Sequence, residues 1–147
     1  MPRRIMFLFA LSSVLFPVFS ACNCSEEKTC EPSSGMLVIT SPCPESKVKA
    51  LHLVKGTVSD PDVKEVWVVI HPMESADYWI QQRATVQDHK WEVICHFGEP
   101  EQHVGKRYEF IAVAMPEGVP MASGIFKDPN WPKAKYSSQL IGKITRC

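Results

Sequence analysis

The 147-residue chain is poor in the patterns that mark catalytic and nucleotide-binding machinery. It has no GxSxG and no glycine-rich phosphate loop, so neither the exposed nucleophile turn nor the phosphate cradle is written into it. It has no HExxH and no CxxC, the spacings that bring zinc ligands onto one site. Charge of one sign is missing too: 16 basic residues balance 16 acidic ones. Without Arg3 and Arg4 the balance is 14 basic to 16 acidic, which excludes the basic surface that nucleic acid or an anionic membrane requires. Apart from one N-terminal segment there is no long hydrophobic run. No window holds a helical period, because the 12 prolines interrupt each attempt at one.

The five histidines, His52, His71, His89, His96 and His103, do not supply a metal site. On a strand, residues two apart share a face, and no two histidines are so spaced. Cys95 and His96 are neighbours, but neighbours on a strand point to opposite faces and form no nucleophile–base dyad. The chain therefore reads as non-catalytic, with no cofactor and no metal.

What is present begins with an export signal. Arg3 and Arg4 form a positive start, and Ile5 to Phe19 form an apolar run of about 15 residues. That is the length of a signal-peptide core, whereas crossing a bilayer takes roughly 20 residues. Residues 1–21 are read as a signal peptide. The run ends in Phe19-Ser20-Ala21-Cys22, with small residues directly before a cysteine. This resembles the lipobox of bacterial lipoproteins, with Phe19 standing where leucine is usual. The resemblance implies that Cys22 is acylated and becomes the mature N-terminus. The bilayer is then the first partner, and the location is the cell membrane or the outer membrane. Secretion or a free periplasmic form is the alternative. Residues 22–35 are polar and lack large apolar side chains, and so read as a flexible tether.

From residue 36 to 147 the chain is a series of short apolar runs bounded by Pro, Gly, Asn, Asp and Ser. The runs are Met36–Thr40, Val48–Val58, Lys64–His71, Asp77–Gln82, Ala84–Gln87, Trp91–Phe97, Arg107–Met115 and Gln139–Arg146. Asp88-His89-Lys90 reads as a hairpin turn. The expectation is an all-β domain of about seven to eight strands. Trp67 in the middle of the third run and the alternation Tyr108, Phe110, Ala112, Ala114 resemble the immunoglobulin-like and fibronectin-type-III-like β-sandwich. That resemblance implies that Trp67 is buried and that Tyr108 forms a tyrosine corner, its hydroxyl bonding upstream backbone. It departs from antibody domains, since no cysteine lies two residues after Tyr108.

Cysteine pairing follows from the same resemblance. The first strand of such a sandwich often ends beside the last, which pairs Cys43 with Cys147 and leaves Cys24 with Cys30. Cys95 shares the face of Trp91, Val93 and Phe97 and is expected to be a buried free thiol. Tyr78, Trp79 and Trp131 stand in polar surroundings and are the candidate ligand-binding aromatics. Their use decides between two expectations: interaction with an envelope protein, or a small carbohydrate-binding module that takes a glycan.

Overall fold

The computed structural model describes Cys24, Lys28, Cys30, Glu31 and residues 33–147. The signal peptide 1–21, Cys22 and most of the tether 22–35 lie outside the described residues. Every regular element described is a strand: β1 Leu37–Ser41, β2 Lys47–Val48, β3 Leu51–Val58, β4 Glu65–Pro72 and β5 Tyr78–Thr85, then β6 Lys90–His96, β7 Arg107–Ala114, β8 Gly124–Phe126, β9 Tyr136–Ser137 and β10 Ile141–Arg146.

Among the described residues they form an all-β sandwich of ten strands, where seven to eight were expected. A three-stranded sheet in the order β1-β3-β6 packs on a seven-stranded sheet, β2-β10-β7-β4-β5-β8, with β9 on β7. All pairs are antiparallel except β2 with β10, which run parallel, Thr145 beside Lys47 and Arg146 beside Val48. The core lies between the sheets and is built by period-two alternation. β7 contributes Tyr108, Phe110, Ala112 and Ala114, while β4 contributes Val66, Val68 and Ile70. From the small sheet come Leu37, Ile39, Val54, Trp91, Val93 and Cys95.

Trp91 explains an otherwise weak residue in a central strand. Gly56 stands directly across from it, and a side chain at 56 would collide with the indole and with the Val38 carbonyl. The tryptophan of the core is therefore Trp91. Trp67, expected there, points to the other face of its sheet and is only partly buried.

That other face is also covered. Val69, Tyr78, Ile80, Ile111 and Val113 form a second apolar cluster, on which Trp67, Met115, Met121, Phe126 and Trp131 pack. The long segment between β7 and β10 folds back to make this cover. It explains why β4 and β7 have long stretches apolar on both faces, as strands buried on both sides require.

The hairpin after β5 is as expected. Asp88 and His89 both have positive φ, 49° and 62°, and Gln87 and Lys90 exchange two backbone bonds of 2.9 Å. This is the two-residue turn whose twist matches that of strands. The expected single run Val48–Val58 is divided: β2 joins the large sheet and β3 the small one. Conversely, the two runs Asp77–Gln82 and Ala84–Gln87 are one strand, β5, interrupted by a bulge. Ile80 and Arg83 lie opposite Val69 and Trp67, so Gln81 and Gln82 face the single residue Val68.

The described cysteines pair differently from expectation. Cys24 is bonded to Cys147 and Cys30 to Cys43, with Cα separations of 6.3 and 5.0 Å. The reason is the parallel β2–β10 pair. Cys43 precedes β2 and lies level with the start of β10, where Glu45 N–H donates to Gly142 O at 3.1 Å. Cys147 follows the far end of β10, so a turn and a strand separate the two thiols. The tether is accordingly fastened to the domain at Cys24 and Cys30, and at those positions it is not free. Cys95 is free and buried, and burial pushes its thiol pKa strongly upward. Two disulfides fit an oxidising, extracytoplasmic compartment.

Candidate functional site

Three strands cannot cover seven. Where the small sheet stops, the inner face of β5 and β8 stays open, and a cleft of about 930 Å³ lies between them and the end of β6. The Gln81–Gln82 bulge shapes it. Gln81 turns inward and is buried, and its Oε1 accepts the His96 backbone N–H at 2.8 Å. That bond holds the free edge of β6 beside β5. At the opposite edge of the small sheet, Gln139 does the same for β1, donating to Ile39 O (2.8 Å) and accepting from Ile39 N–H (3.2 Å).

Trp79 lies beside the cleft, paired with Ile70 on β4 and Ile125 on β8. It is 41% exposed, a large value for an indole, and Ile125 and Leu51 are exposed near it. The floor holds Tyr108, whose ring packs edge-on against Phe97 at 5.8 Å. Only 3% of Tyr108 is accessible, yet its hydroxyl makes no hydrogen bond among the described residues. The expected tyrosine corner is therefore not formed. The hydroxyl instead lies against Gly98 (φ +78°), where any side chain would strike it. Burial raises the Tyr108 pKa, and the Glu74 carboxylate adds to the rise against the opposing Arg146 charge. The group stays a neutral donor and acceptor.

Polar groups rim the cleft. Lys106 bridges to Glu74, and His103 Nδ1 accepts the Glu99 N–H at 2.7 Å. His96 lies on the exposed face of β6, opposite in direction to core-facing Cys95. Among the described residues no group of three or more His, Cys, Asp and Glu side chains is placed to hold a metal.

The three candidate aromatics do not converge. Tyr78 and Trp79 are adjacent, and strand geometry sends them to opposite faces. Tyr78 is buried on the outer face and stacks on His71, with ring centroids 4.4 Å apart and planes at 7°. Trp131 meets Tyr78 edge-on at 4.8 Å and His71 at 6.1 Å. His71 is held in turn: Nε2–H donates to Ser75 O at 2.8 Å, and Nδ1 lies 2.9 Å from the Glu109 carboxylate. Tyr78 and Trp131 thus fasten the loop cover to the sheet, and Trp79 alone stands at the cleft. The sequence pointed to Trp79 but not to Tyr108 as a cleft residue. Its alternation marks the ring as core and carries no sign of where the hydroxyl goes.

Compared with protein-family models, with curated proteins and with solved structures, the chain finds no match.

Proposed function

We propose that this is a non-catalytic cell-envelope lipoprotein. It is exported, acylated at Cys22, and binds another envelope protein at the membrane surface through the cleft beside Trp79. The observation that carries this reading is the composition of the cleft mouth: one exposed indole flanked by exposed Leu51 and Ile125. A single aromatic anchor in a mixed apolar patch, rimmed by polar groups, is the usual form of a protein hot spot. The cleft volume lies within the range of pre-formed sites, so a partner's side chains can seat in it without rearrangement. Glycan binding is supported less well. A sugar platform wants a second exposed ring beside the first, and Tyr78 and Trp131 are engaged with His71 on the other face.

Selection of a displayed peptide library against the folded domain tests this. Enriched peptides should carry large apolar side chains and lose at least tenfold in affinity against the Trp79→Ala variant. Peptides that bind Trp79→Ala equally well, or oligosaccharides that bind and shift the Trp79 fluorescence, would overturn the reading.

A further inference from the structure

The N-terminal segment is fastened so that it leaves the domain at the cleft end. Cys30 is held by Cys43, which lies level with the start of β10. Cys24 is held by Cys147, beyond the end of β10. The two bonds therefore set Cys30 at mid-height of the sandwich and Cys24 at one end. Cys22 is two residues before Cys24, so its reach from that point is at most roughly 7 Å. A lipid on Cys22 therefore emerges at this end with almost no slack.

The loops of that same end are tied to β10 and to one another. Gly105 N–H donates to Arg146 O at 2.7 Å, Met73 N–H to Arg107 O at 3.0 Å, and Cys147 N–H to Val48 O at 3.0 Å. Two loop tips here carry bare apolar side chains, Met73 at 47% and Val104 at 60% exposure. No other described element covers them, and they flank the cleft. We propose that the sandwich stands end-on on the bilayer, with the 72–77 and 97–106 loops seated at the lipid headgroups. This rests on the lipid-anchor reading above. The occupant of the Met73–Val104 surface is the bilayer itself. Continuity with the anchor argues for it, because the anchor leaves from the end that these loops form. The two loops carry Glu74, Asp77, Glu99 and Glu101 against Lys106 alone, so the seat is on zwitterionic lipid, through Met73 and Val104, and not on anionic lipid. The cleft then opens at headgroup height, and the segment it takes belongs to a partner that is itself held at the membrane.

The test uses full-length lipidated protein reconstituted in phosphatidylcholine vesicles. A spin label is placed on Val104→Cys or Met73→Cys at this end, or on Val119→Cys at the other. Buried Cys95 and the two disulfides leave the new thiol as the reactive one. Labels at 104 and 73 should be reached several-fold better by oxygen than by a water-soluble nickel chelate, and the label at 119 should show the reverse. Water-type values at all three sites overturn the inference and leave the anchor reading standing. Protein that fails to float with the vesicles overturns both. Combining Cys24→Ser with Cys147→Ser should return the 104 label to the water-type value. A label that stays lipid-exposed there shows that the disulfide does not set the orientation.

Discussion

At the end of the sandwich away from the cleft, one carboxylate gathers three donors. Asp60 accepts the Asp62 N–H at 2.9 Å, the Tyr136 hydroxyl at 2.8 Å and the Lys135 ammonium at 3.1 Å. These bonds tie the β3–β4 loop to β9, and polar groups satisfy one another. This end also leaves Met36 in the open, beside Ser59, whereas at the other end the exposed apolar side chains gather around a cleft. Apolar Trp79, Leu51, Met73 and Val104 are left in the open, and the Tyr108 hydroxyl at the cleft floor has no protein partner among the described residues. Both ends close the same two sheets, so the difference is not forced by the fold. Leaving apolar side chains in the open around a cleft is costly, and that cost persists in natural proteins where a partner offsets it.

The largest effect that can break this comparison is at the cleft floor. Tyr108→Ala empties a core volume beside Phe97 and should cost about 3 to 5 kcal/mol, read by thermal or chemical denaturation. Tyr108→Phe keeps the ring and removes only an unpartnered hydroxyl, so it should be nearly neutral in stability. A large loss for Tyr108→Phe would mean that the hydroxyl is structural after all. Next comes the Cys30–Cys43 bond, which closes a loop of 13 residues. Replacing both with serine should cost about 3 kcal/mol in the chain-entropy model. Unchanged melting would show that the segment before β1 is held by other contacts.

At the polar end the test is pH. The Asp62 N–H first, then Tyr136 and Lys135, hold the Asp60 carboxyl down at about 2, below its ordinary 3.8. Because the folded value is the lower one, Asp60 contributes stability that is fully present above pH ~4. That contribution is lost as pH falls through about 2. Asp60→Asn should remove this part of the acid sensitivity, flattening the stability–pH curve over that window. A curve identical to the parent's would dismiss the network as a surface arrangement without effect. The smallest effect belongs to Trp79→Ala. Its exposure keeps the expected loss within about 1 kcal/mol. A loss matching that of Tyr108→Ala would make Trp79 a core residue and remove the site.

Much of this was legible in the sequence. Alternation through Tyr108–Ala114 and the proline and aspartate punctuation are local signals, and they specify a sandwich because each strand carries its own burial pattern. Three short strands, β2, β8 and β9, were not legible, since two or three residues carry no period. The bulge that unites β5 was equally hidden: its two extra-facing glutamines look like a loop until β4 and β6 are placed beside them. Disulfide partners failed for a related reason. They depend on which side of β2 each cysteine falls, and β2 itself is too short to see. The opposite facing of Tyr78 and Trp79 could be read from adjacency alone, but which of them looks into solvent is set by the cover that the 115–135 segment lays on the outer face.

The central claim is that the cleft end meets a protein partner and the polar end does not. A photo-crosslinking residue placed at Trp79, and separately at Val119 near the polar end, addresses it in intact cells. The account predicts a discrete protein adduct from position 79 and none from position 119. Adducts from both positions alike, or none from position 79, would contradict it.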